Sequence, residues 1–432
     1  MNLCRSKPLK KLFAIGVLTI LWLTTSCAPN LNLLPDSVNS ALLSPTPFQP
    51  QSALSSLTPA PSVPQTESTY TPVPTQHVVA ENLSAPTLVD LQSGNSAGDS
   101  NPLKIYDPLT GLPVSDPSLL NRRPMVIKVA NSPDYVRPQS GLTLADVVYE
   151  YYIEWGDTRF IAVMYGNDSP MVGPVRSGRY FDEHVARMYN AYLAFKGADP
   201  RELSYLEDST LKDFLIIVYS FNSNCPPIEI GPERRDSYNN AFFNTTKWAA
   251  CAAKKGLDNT KPILRGGFFS DQAPDSTTLV KRIFSFFSGY NYSYWDYDPA
   301  THKYFRYQEA NDLVSHAVEK YTPLTDLQTG LPVTTENVVL LYVPYTFGNQ
   351  FDAHDQVYHI DLVDSGDAYV FRDGVAMPAR WVRTDINQPL LLTTVSGSPI
   401  YLRPGHTFYE VMGVNSTLTQ NGTDWHFEFK TP

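Results

Sequence analysis

The chain has 432 residues, long enough for two or three ordinary domains with proper cores. Aromatic residues make up 12% of it, with 26 tyrosines, against only 18% charged residues, a balance that favours many half-buried strands over long amphipathic helices. The formal net charge of −10 argues against a nucleic-acid partner, and a charge of this kind speaks to solubility rather than fold.

Residues 1–26 read as an export signal. Arg5, Lys7, Lys10 and Lys11 form a positive start, and Leu12 to Leu23 is a run of apolar or small residues. That run is too short to span a bilayer, which takes about 20 apolar residues. Thr24-Thr25-Ser26-Cys27 follows directly and resembles a lipobox, with Thr24 where leucine is usual. Cys27 is therefore the expected lipidation site, and two acyl chains on its thiol would meet the physical requirement for a stable anchor. The competing reading is an ordinary cleaved leader with an incidental cysteine. Between Ala28 and Asn101 there is no Lys or Arg, and Pro, Ser and Thr dominate, so residues 27–102 are expected to form a disordered, partly polyproline tether. The predicted address is the extracytoplasmic face of a membrane, held by lipid.

Export bears on the remaining cysteines. Removing the leader deletes Cys4 and lipid occupies Cys27, which leaves Cys225 and Cys251 either bridged or as two buried free thiols.

The folded part is expected in two segments of an α+β protein, residues 103–270 of mixed α/β character and residues 277–425 mainly β. In the first, Met125 to Ala130, Ala145 to Glu154, Arg159 to Tyr165, Ala191 to Lys196 and Leu215 to Tyr219 read as strands. Tyr180 to Asn190 reads as a helix, as does the run around Trp248. In the second, strands are expected over Lys281 to Phe287, Asn291 to Asp298, His302 to Gln308, Asn337 to Tyr345, Gln356 to Leu362, Tyr369 to Phe371 and His406 to Met412, with a short helix over Asn311 to Lys320. This segment is expected to form a small sheet or barrel packed on the first. The pentapeptide Thr-Gly-Leu-Pro-Val occurs at 110–114 and again at 329–333, which suits a turn leading into an extended segment at the start of each half.

Candidate functional residues gather in the first segment. If Gly156-Asp157 forms a two-residue hairpin turn, Glu154 lies opposite Arg159 and Glu150 opposite Val163, so these charges share one face. Gly173 to Arg179 precedes a helix and offers Arg176 and Arg179, with Ser177 as its N-cap, as an anion-binding corner. Arg137 lies in a loop just after a strand. The expected site is a cleft rimmed by Arg137, Arg159, Arg176 and Arg179, with Glu150 and Glu154 beside them. Mutual salt bridges among the same residues are the competing reading. No signature of a zincin, serine hydrolase or nucleotide-binding loop occurs, and no metal or cofactor is expected. Glu150 and Glu154 would stand about 13 Å apart along a strand at roughly 3.3 Å per residue, too far for an ordinary glycosidase pair.

Asn121-Arg122-Arg123-Pro124, Arg137-Pro138-Gln139-Ser140-Gly141, Thr158-Arg159-Phe160 and Gly173-Pro174-Val175-Arg176-Ser177 resemble the DUF3048 family of YerB-like bacterial lipoproteins. The likeness continues through Tyr304-Phe305-Arg306-Tyr307, Phe371-Arg372-Asp373-Gly374 and Pro404-Gly405-His406-Thr407. It implies a two-domain surface lipoprotein and carries no activity with it. In one departure, Arg235-Asp236-Ser237-Tyr238-Asn239-Asn240 stands where the family shows a Pro-His-Asn step after an arginine. Asn239 then replaces the imidazole, and Asn240 keeps its amide for a ligand. The reading that results is an envelope binding protein for an anionic or glycan ligand, with a wall polymer or envelope protein as partner. The alternatives are a glycan hydrolase pairing Glu150 or Glu154 with Asp146 or Asp182, and a spacer without a ligand.

Overall fold

The computed structural model describes residues 104–218, 224–231, 236, 238–264, 267–348 and 355–432. The leader, Cys27 and the tether lie outside the described residues, as does Arg235. No helix among the described residues is long and apolar enough to cross a membrane.

The first segment supplies five strands to the main sheet, β1 (Met125–Ala130), β2 (Val147–Tyr152), β3 (Thr158–Met164), β4 (Tyr192–Phe195) and β5 (Leu215–Ile217), and the helices α1 (Tyr180–Met188) and α2 (Pro200–Asp208). β1, β4 and β5 run parallel, and β3 lies antiparallel between β2 and β1. Strands Thr407–Gly413, Asn337–Val343, Asp364–Arg372, Val375–Arg383 and Leu391–Thr393 then extend the same sheet beyond β2, giving ten strands. The second half thus lends five strands to this sheet, besides building a separate sheet of its own. Thr407–Gly413 docks parallel on β2 on one side and on Asn337–Val343 on the other. All three strands are apolar nearly throughout, the pattern of strands covered on both faces.

Sheet register decides which residues meet. The expected two-residue hairpin turn is replaced by a longer loop, because β2 ends at Tyr152 and the central turn residues are Trp155 and Gly156, with φ of 55° and 86°. Asp157 N–H closes the turn on the Glu154 carbonyl at 2.9 Å. Tyr151 rather than Glu154 therefore lies opposite Arg159, and Glu150 lies opposite Phe160 rather than Val163. An odd register shift exchanges faces. Arg159 joins Lys128, Tyr149 and Tyr151 on the face covered by α1, while Glu150 joins Phe160 and Phe408 on the other.

That second face is covered by a seven-stranded sheet including Arg282–Phe286, Tyr292–Asp298, Lys303–Glu309 and Asp424–Glu428. Between the sheets, Glu150 and Glu410 sit side by side on neighbouring parallel strands. Arg306 reaches across to both, with Nη2 at 2.5 Å from Glu150 Oε2 and Nη1 at 3.0 Å from Glu410 Oε1. Its guanidinium is enclosed by the rings of Phe160, Trp295 and Phe408 at 5.0 to 5.3 Å. Trp295 Nε1 donates to Glu410 at 2.8 Å, and Asn131 and Thr158 donate to Glu150 at 3.0 and 2.7 Å. Burial and the neighbouring Glu150 push Glu410 up to about 8 against the pull of Arg306, so it holds a proton at neutral pH.

The segment expected as a helix over 311–320 has no helix. Asp312 takes the Ser315 N–H at 2.6 Å and Asn311 donates to the Val318 carbonyl at 3.1 Å, local bonds of the kind that compete with helical ones. α2 escaped the sequence reading although Asp199 caps it and Pro200 opens it. The repeated pentapeptide forms the same turn twice. Asp107 and Asp326 each accept the N–H of a glycine four residues on at 2.8 Å, and Gly111 and Gly330 take φ of 67° and 69°. Cys225 and Cys251 are bonded, with Cα atoms 5.3 Å apart, and the bridge ties the start of a loop to the helix Trp248–Lys255.

Two outcomes are expected. Between pH 4.5 and 8 the folded protein holds the Glu410 proton that the unfolded chain has released, so stability falls as pH rises through that window. In E410Q the drop in unfolding free energy between pH 5 and pH 8, measured with urea, should be smaller than in the wild type. Replacing Cys225 and Cys251 by serine should cost roughly 3 kcal/mol by loop-closure entropy, read as a lower urea midpoint in non-reducing buffer.

Candidate functional site

β1 and β4 pair only from Met125 to Ile127 and Tyr192 to Ala194, then diverge. The segment 174–178 fills the gap: Ala130 N–H donates to the Pro174 carbonyl, Arg176 N–H to Lys128 and Lys196 N–H to Arg176, all within 2.9 to 3.1 Å. Arg176 and Lys196 are thereby placed just beyond the carboxyl ends of two parallel strands, where open α/β sheets commonly hold ligands. Arg159, opposite Ala130 in the sheet, enters at the same end. Arg179 follows as the N-cap of α1, its own N–H donating to Asp182 at 2.8 Å. Ser177 is not the cap that the sequence suggested. Its carbonyl instead accepts Arg159 Nη1 at 2.9 Å.

The three arginines are not equivalent. Arg179 is bound in two places by Glu154, with Nε at 2.8 Å from Oε2, and Nη1 lies 3.6 Å from Glu202. Burial works to lower its pKa, yet these carboxylates raise it above the ordinary arginine value. Arg159 is 5% exposed and has no carboxylate partner among the described residues. Burial first, then repulsion from Arg179 and Arg176, lowers it to about 9. Arg176 bonds the amide oxygen of Asn239 and lies over the Tyr238 ring at 4.4 Å. Its pKa is lowered too, by burial and by Arg179. Lys196 Nζ stands 4.5 Å from the same ring, and burial with Arg176 lowers it to about 8. Behind them Glu202, 1% exposed, has neither carboxylate oxygen hydrogen-bonded, and burial brings it up to about 7.

The remaining predicted residues lie elsewhere. Glu150 belongs to the buried Arg306 pair. Arg137 is engaged by Glu309, both by its carboxylate and by its carbonyl at 3.2 Å, so it does not rim the cluster. Asn239 rather than Asn240 contacts Arg176. The Asn240 side-chain oxygen is buried without a hydrogen bond. Asp146 and Asp182 are wholly buried. Asp182 holds Lys128 at 2.7 Å and Tyr151 at 2.6 Å, and burial lowers Lys128 to about 7 in spite of that carboxylate. No group of three or more His, Cys, Asp or Glu able to hold a metal ion occurs among the described residues. Sequence reasoning missed Lys196, Tyr135 and Tyr238, and took Asn239 only as a weakened position while giving the ligand contact to Asn240. Only the end of a predicted strand marked Lys196, and nothing local marked the two tyrosines.

Residues 109–258 match the family model described as the DUF3048 N-terminal domain, protein of unknown function, and residues 283–409 match the corresponding C-terminal domain. "Putative lipoprotein YerB" of Bacillus subtilis strain 168 is 25% identical over 326 residues, covering 75% of this chain and 91% of that protein. The crystal structure of the YerB protein from Bacillus subtilis superposes with a TM-score of 0.58 at 22% identity, over 72% of this chain and 97% of the other, which establishes a shared fold. With both halves matched in order, the chain belongs to the DUF3048, YerB-like family.

Proposed function

We propose that this protein is a lipid-anchored extracytoplasmic lipoprotein that binds an oxyanion at Arg159, Arg176 and Arg179. The observation that carries the reading is electrostatic. In a chain of net charge −10, two arginines beside a third are packed at a strand end without a carboxylate of their own among the described residues. Their mutual repulsion is a cost that a bound oxyanion would offset, and arginine forks match carboxylate and phosphate geometry. By contrast, the hydrolase reading lacks a reachable carboxyl pair. Glu150, Asp146 and Asp182 are buried, and Glu154 is taken by Arg179. The lipoprotein part rests on the Cys27 motif and on the similarity to the Bacillus protein named "Putative lipoprotein YerB".

Sulfate, which keeps its charge across the range used, should raise the melting temperature at pH 6 beyond an equal ionic strength of sodium chloride. The effect should shrink at pH 8.5. Between those values Glu202, near 7, ionises and Lys196, near 8, loses its proton, and both changes remove positive charge from the site. R176A should weaken sulfate binding about tenfold or more. A sulfate response that is indistinguishable from chloride, or untouched in R176A, refutes the anion site. For the anchor, C27S should move the protein from the membrane fraction to the soluble one, and mass spectrometry of the wild type should find a diacylated N-terminal cysteine. An intact leader would contradict it.

A further inference from the structure

Tyr135 and Tyr238 stand beside the Arg176–Asn239 pair and are 53% and 52% exposed. Tyr135 is the more telling. It stands on the short turn Asp134–Val136, and its hydroxyl donates to Asp236 Oδ2 at 2.6 Å and accepts from Asn239 Nδ2 at 3.1 Å. Asn239 is in turn the partner of Arg176. Neither a second ring nor a cation lies against the Tyr135 ring among the described residues. The hydroxyl is thus held while about half of the residue stays open to solvent, which is how an aromatic contact is pre-organised at small entropic cost.

Asp236 adds a second constraint. Its carboxylate already takes the N–H groups of Tyr238 and Asn239, each at 2.8 Å, and hydrogen bonding from Tyr135 and Asn239 lowers its pKa to about 2. With Tyr135 and the Asn239 amide on its other oxygen, its acceptor sites are filled, so this fixed negative charge repels a second anionic group without bonding a ligand itself. Moving outward from the arginines, the surface therefore changes from cationic to a fixed carboxylate that turns a second anion away, with an exposed aromatic ring beside it.

We infer that the ligand of this site is an anionic sugar, with its phosphate or carboxylate on Arg159 and Arg176 and its neutral ring against the exposed ring of Tyr135. The inference rests on the anion reading above. The C–H face of a sugar ring is weakly electropositive and meets the negative face of the aromatic ring.

The test is titration calorimetry on the full-length chain with glucose 1-phosphate, glucuronate, glycerol 3-phosphate and inorganic phosphate. Glucose 1-phosphate should bind about tenfold more tightly than glycerol 3-phosphate, which carries the same charge without the ring. Y135L should bring the two affinities together, and Y135F, which keeps the ring, should retain more of the preference than Y135L. Glucuronate binding in place of glucose 1-phosphate would uphold the inference with a carboxylate as the anion. Equal affinities in the wild type, or a preference that persists in Y135L, overturn the sugar while leaving the anion site standing. Failure of all four anions to bind overturns both.

Discussion

The architecture turns on a conflict that the sheet register creates. Parallel pairing of β2 with Thr407–Gly413 sets Glu150 directly beside Glu410, on the side sealed by the second sheet. Two carboxylates in that position cannot both stay charged without a cation. Arg306 provides it from the opposing sheet, and a proton on Glu410 removes what repulsion remains. The apolar residues around this group hold the layers together by area. Arg306 sets how they align, because its forked geometry suits one relative position of the two sheets.

Against that background the arginine cluster differs in kind. Lys128 and Arg306 are buried, and Arg137 is partly buried, each with a carboxylate in contact. Arg159 and Arg176 are held by a backbone carbonyl and an amide oxygen, neutral acceptors that position a guanidinium without cancelling its charge. Among the described residues, the same face of the sheet therefore carries neutralised charge beneath α1 and, at Arg159 and Arg176, charge without a bonded carboxylate at its rim.

Much of the strand pattern was legible because runs such as Met125–Ala130 and Tyr292–Asp298 are bounded by turn residues and rich in β-formers. The convergence of Arg159, Arg176 and Arg179 with Glu154 was legible from their nearness in the chain. What could not be read was register. A turn centred on Trp155 instead of Gly156-Asp157 moved Glu150 to the far face, and no local signal distinguishes those two turns. Contacts across long separations were equally hidden. Arg306 reads as an ordinary strand residue until the second sheet is in place, and Tyr135 and Asn239 meet only through the folding of a hundred intervening positions.

The placement of Thr407–Gly413 in the middle of the ten-stranded sheet reaches into how the molecule is made. A nascent or truncated chain lacking that strand would offer β2 and Asn337–Val343 as two open edges, each ready to recruit a stranger. Contacts so distant in sequence close slowly. Assembly of the core must therefore wait for Thr407–Gly413, and until it arrives a partly made copy keeps both edges open.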